Sequence, residues 1–69
     1  MSRKFEGDKI KKMRLEKGIT QKDFASLVGI SNSYLSDIEI GRTSPSLKTL
    51  LKIAEALDVE IDMFLEKSS

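Results

Sequence analysis

Asn32, Ser33, Ser36 and Asp37 lie close together between Ser31 and Gly41, with no lysine or arginine among them. At helical spacing Leu35 and Ile38 share one face of this stretch, which leaves the four short polar residues on the others. Solvent faces of helices normally carry long charged side chains, and short amides and hydroxyls are poor helix formers. They do suit close hydrogen bonding to the edges of bases. Asn matches adenine, Ser contacts several bases, and a carboxylate such as Asp37 accepts from cytosine N4. A small polar surface without a partner is the alternative reading of the same residues.

Other chemistry is largely excluded. The chain has no histidine and no cysteine. That removes the commonest general base and metal ligand, as well as thiolates and disulfides. There is no glycine-rich phosphate loop and no nucleophile motif. The carboxylates fall on solvated helix faces rather than around a pocket. No catalytic residue, cofactor, metal ligand or small-molecule ligand is expected, and the chain does not read as an enzyme.

Net charge is only +1, but its distribution is uneven. Residues 1–22 hold eight basic side chains against three acids, residues 23–46 hold Arg42 against three acids, and residues 47–69 hold three lysines against five. This pattern fits either a mixed-charge solvated surface or a phosphate-facing side opposite a face kept clear of nucleic acid. The start, MSRKFEGDKIKK, has no apolar h-region, and no run approaches the ~20 apolar residues that span a bilayer. A soluble, cytoplasmic chain is expected, with no membrane contact.

Sixty-nine residues make one expected domain, 1–69, built of five helical segments. So short a chain buries only ~60% of its unfolded surface, so tight helix packing or a partner chain must stabilise it. The first segment, about 6–17, places Ile10 and Met13 on one face and meets Gly18 as a cap. The second, 21–28, starts on Thr20 with Asp23 three residues on, a shortened capping box, and presents Phe24, Ala25 and Val28. The third, 32–39, starts on Ser31 and docks through Leu35 and Ile38. The fourth, 47–57, starts on Ser46 after the single proline, Pro45. Its expected buried stripe is Leu47, Leu50, Leu51, Ala54 and Leu57, with Ile53. The fifth, 61–66, carries Ile61, Phe64 and Leu65, either as a dimer surface or as residues that close the core.

The second and third segments are joined only by Val28, Gly29, Ile30 and Ser31. That turn is too short for antiparallel helices. It suits two helices crossing at ~90–120°, the helix-turn-helix unit. Ala25 is the small residue at the close approach, and Ile30 must point inward to seal the corner.

The stretch from Thr20 to Ser31 (TQKDFASLVGIS), with Ser33–Arg42 and Ser44–Leu57, resembles the Cro/repressor-type helix-turn-helix family, often called XRE. The resemblance spans roughly residues 6–66. It implies an all-α, lambda-repressor-like fold and a transcriptional regulator, a repressor or a regulator of its own operon. Such a protein acts as a homodimer on two-fold double-stranded DNA, with recognition helices ~34 Å apart. By the same resemblance, Asn32, Ser33 and Asp37 fall on base-reading positions. Gln21 falls where a glutamine braces against a phosphate and the first reading residue. Ser31, Tyr34, Arg42, Thr43 and Ser44 fall on or near sugar-phosphate positions. Arg14 and Glu39 match a partly buried ion pair.

Four positions depart from the pattern. Asp37 is acidic where relatives often carry glutamine or arginine. It is either a base reader, a device rejecting wrong sites, or a sign of another partner. Ile40 replaces a polar residue. Leu15 and Leu27 replace charged ones and are expected to extend the core rather than form an interaction patch. The competing function is a protein-interaction module, antitoxin-like or regulator-binding, on the same fold.

Overall fold

Three of the four α-helices begin on a hydroxyl. The computed structural model describes residues 4–66, with backbone alone at Lys4, Phe5, Leu65 and Glu66. Helix α1 spans Gly7–Glu16, α2 Gln21–Val28, α3 Asn32–Glu39 and α4 Leu47–Leu57. Thr20 Oγ1 accepts from Asp23 N at 3.1 Å, Ser31 Oγ from Tyr34 N at 3.0 Å and Ser46 Oγ from Thr49 N at 3.2 Å. Each bond satisfies one of the four N–H groups a helix start leaves open. The starts expected at Thr20, Ser31 and Ser46 are the observed ones.

The helix ends share a device as well. After α2, Gly29 takes φ 84°, and Ile30 N donates back to Ala25 O at 2.9 Å. That backbone geometry, and not space, demands glycine: a Cβ at Gly29 would meet nothing within 4 Å. At the end of α4 the same left-handed turn is made by Asp58, at φ 59°. It is the one non-glycine residue with positive φ among the described residues. Asp tolerates this region better than most side chains.

The class is all-α, as expected, but the fifth segment is not an α-helix. Ile61–Phe64 form one 3-10 turn. The chain then pairs antiparallel with its own start, Lys4 opposite Glu66 and Phe5 opposite Leu65, and Glu6 N donates to Phe64 O at 2.6 Å. Local periodicity cannot reveal a pairing between the two ends of a chain, which is why a helix to residue 66 was expected.

The core comprises Ile10, Phe24, Ala25, Val28, Leu35, Ile38, Leu50, Ile53, Ala54, Leu57 and Phe64. Met13, Ile19, Ile30, Tyr34, Val59 and Ile61 pack on its margin. Phe64 has no exposed surface. Of its two expected roles, core closure holds, and it offers nothing to a dimer surface. Ile61 is half-buried on the same cluster. The side chain of Leu65 lies outside the described residues.

Four expected core positions are corrected. Leu15 is 57% exposed, Leu27 65%, Leu47 68% and Leu51 51%. On α4 the buried stripe is Leu50, Ile53, Ala54 and Leu57. Leu47 and Leu51 stand one ridge beyond it. On α1 the buried stripe is Gly7, Ile10 and Arg14. Leu15, a third of a turn further round, points to solvent because a charged residue holds the inward place.

That charged residue is satisfied. Arg14 Nε donates to Glu39 Oε2 at 2.8 Å and Nη2 to Glu39 Oε1 at 3.1 Å, while Nη1 donates to Ile19 O at 2.7 Å. Arg14 is 5% exposed and Glu39 3%. The bidentate pair joins α1 to α3, as the family resemblance implied, and the bond from Nη1 to Ile19 O adds the α1–α2 loop.

Two predictions can be checked by urea denaturation. Phe64→Ala is expected to cost about 3–5 kcal/mol, and Leu27→Ser to stay within about 0.5 kcal/mol. Equal losses would contradict this division between core and surface. Arg14→Ala strands a buried carboxylate and is expected to cost about 3–5 kcal/mol. Replacing both partners by apolar residues of similar volume is expected to be near neutral. An unchanged midpoint for Arg14→Ala would contradict the pair's structural role.

Candidate nucleic-acid interface

Two eight-residue helices meet at the Gly29 turn, and α3 carries the polar face. Ala25, 2% exposed, lets them approach, and Ile30 is half-buried in the corner as the turn requires. Leu35 and Ile38, with no exposed surface, fix which side of α3 faces inward. The outward side follows from the helical period. Asn32 and Ser33 are exposed in its first turn, and Ser36 and Asp37 are half-buried in the next. None of these four side chains makes a hydrogen bond to any described residue. A face with its donors and acceptors unused is available to a polar partner.

The flanking residues behave differently from one another. Ser31 is exposed, but its oxygen is already accepting from Tyr34 N, so its O–H is what remains to donate outward. Tyr34 is half-buried, its ring against the core margin. After α3 the chain folds back under the helix end, where Asp37 O accepts from Arg42 N at 2.9 Å and from Thr43 N at 3.4 Å. This holds Arg42, exposed, Thr43, half-buried, and Ser44, exposed, beside the C-terminal turn of α3. The Asp37 backbone thus organises the loop while its carboxylate stays unengaged among the described residues.

Gln21, the first residue of α2, is placed where sequence reasoning did not look. Its Nε2 donates to Glu39 Oε1 at 3.1 Å. That oxygen therefore receives both Gln21 and Arg14, and the start of α2 is tied to the last turn of α3. The turn at Gly29 joins one pair of helix ends and this bond joins the other. Eighteen residues separate Gln21 from Glu39, and no local pattern announces such a contact.

Around this face the described residues contain no group of three or more His, Cys, Asp or Glu able to hold a metal ion. No described helix is long and apolar enough to cross a membrane.

A family model described as Helix-turn-helix (HTH_3) matches residues 10–64. The chain is 41% identical over 59 residues to the HTH-type transcriptional regulator DdrOP3 of Deinococcus deserti, covering 86% of this chain and 46% of that one. It is 39% identical over 62 residues to the HTH-type transcriptional regulator SinR of Bacillus subtilis, covering 88% and 56%. It thus spans about half the length of these two regulators. Among solved structures, the P22 c2 repressor in complex with a synthetic operator superposes with a TM-score of 0.78 at 32% identity, covering 81% of this chain and 85% of that one. A match over residues 10–64, including both helices of the angled pair, settles the affiliation: this chain belongs to the helix-turn-helix family.

Proposed function

We propose that the chain is a sequence-specific DNA-binding module of a transcriptional regulator, with α3 lying in the major groove of a two-fold site bound by two copies. The observation that carries this reading is the outward face of α3, whose short polar side chains are all unengaged among the described residues. The P22 c2 repressor, similar in fold and sequence, is seen on an operator duplex.

In this reading Asn32, Ser33 and Asp37 meet base edges, with Ser36 beside them. Asn32 is suited to adenine N6 and N7 and Asp37 to cytosine N4. Gln21, the Ser31 hydroxyl, Tyr34, Arg42, Thr43 and Ser44 lie against the sugar-phosphate backbone and set register rather than sequence. The starts of α2 and α3 add free backbone N–H groups and partial positive charge, which favour phosphate. No catalytic step is part of the function. Phe64 is in the core, so contact between two copies must use other surface.

Asn32→Ala is expected to weaken binding to the preferred duplex by ~1–3 kcal/mol and to relax choice at one base position. Selection of sites from random duplex by both proteins checks this. Equal loss on every sequence would make Asn32 a backbone contact instead. Binding of the unaltered chain is also expected to fall steeply as salt rises, because counterions are displaced from the phosphates. Absence of duplex binding at low salt would sink the reading.

A further inference from the structure

Glu39 is on the inward side of α3, yet one of its oxygens holds a half-buried side chain from the start of α2. The Gln21 amide has two ends, an oxygen that only accepts and a nitrogen that only donates. Beside a carboxylate, only the nitrogen end is tolerated, so the bond from Nε2 to Glu39 Oε1 fixes which way round the amide sits. Nε2 carries a second N–H about 120° from the first in the plane of the amide. Glu39 is buried and Gln21 half-buried, so the amide stands at the edge of the pair, with its second N–H left over for a group outside it. That N–H and the amide oxygen have no partner among the described residues.

A carboxylate behind a phosphate-binding group would ordinarily repel the phosphate. Here Arg14 neutralises it. Its guanidinium holds both Glu39 oxygens, at 2.8 and 3.1 Å, and its remaining arm is spent on Ile19 O. The three side chains together are close to neutral, and what they offer outward is an oriented donor.

We propose that Glu39 is a positioning residue for nucleic acid: by taking one N–H of Gln21 it aims the other at a backbone phosphate, with Arg14 cancelling its charge. This rests on the DNA-binding reading above. The buried ion pair then has two functions, joining α1 to α3 and orienting a contact made by α2. Freed from Glu39, the Gln21 side chain has several rotamers and both amide orientations open to it, and ordering one of them on binding costs affinity.

A double-mutant cycle on the full chain tests the coupling. Gln21→Ala is expected to weaken binding to the selected duplex by about tenfold, the effect of one lost hydrogen bond to a charged acceptor. The paired replacement Arg14→Met with Glu39→Leu removes the ion pair without stranding a charge, and is expected to fold and to bind about tenfold more weakly. Adding Gln21→Ala to that background is expected to cost less than about twofold. If Gln21→Ala costs the same in both backgrounds, the ion pair does not act through Gln21 and the proposal is overturned, with DNA binding itself untouched. If the unaltered chain binds no duplex at low salt, the functional reading fails first.

A second measurement holds even if the paired replacement does not fold. In the unaltered chain, the two Gln21 amide proton signals are identified by their loss in Gln21→Ala. On addition of duplex one is expected to move and the other to stay in place. Neither moving, or both moving together, overturns the proposal.

Discussion

The Arg14–Glu39 pair is the constraint around which the small core is arranged. Both groups are almost wholly removed from solvent, and a buried charge is tolerated only when paired and hydrogen-bonded. The guanidinium meets that demand by reaching two elements at once, α3 through Glu39 and the α1–α2 loop through Ile19 O. Glu39 meets it by taking Gln21 as well. Any displacement of α3 relative to α1 leaves a buried polar atom open, and any displacement relative to α2 breaks the bond from Gln21. Apolar burial, as at Ile10, Leu35 and Ile38, all without exposed surface, is non-directional and by itself admits more placements of a helix than a set of hydrogen bonds does. The ion pair narrows the choice of placement for α3.

That placement gives the outward face of α3 its meaning. The helix is short, and its inward side is held by Leu35, Ile38 and Glu39. Its first turn is capped by Ser31 and its last is closed by the loop folding back onto Asp37 O. Neither end draws on Asn32, Ser33, Ser36 or the Asp37 carboxylate, which stay unengaged among the described residues. Asp37 therefore has divided duties. Its backbone carbonyl builds the loop carrying Arg42 and Thr43, and its side chain sits on the presented face.

Much of this was legible in the sequence, for identifiable reasons. Hydroxyls before apolar-periodic runs marked the starts of α2, α3 and α4, because capping is local chemistry. Phe24, Ala25, Val28, Leu35 and Ile38 were legible as core, because the Gly29 turn dictates which faces meet. The exposed leucines were not. Leu15 lost its inward place to Arg14, and Leu47 and Leu51 lie just outside a stripe that periodicity alone draws too wide. Nor was the pairing of Lys4–Phe5 with Leu65–Glu66, or the bond from Gln21 to Glu39, since both join residues distant in the chain. The ion pair itself was foreseen only through family resemblance. From composition alone Arg14 looks like one more basic residue in a basic segment.

In the proposed function, a defined face, made of the start of α2, the outward side of α3 and the loop after it, meets duplex DNA. Mapping backbone amide shifts of the full chain on titration with its selected duplex tests this most directly. Changes are expected to concentrate at Thr20–Lys22, Ser31–Asp37 and Arg42–Ser44, with α4 beyond its first turn and the 3-10 turn nearly silent. Changes centred instead on the exposed leucines of α1 and α4, with α3 silent, would contradict that function.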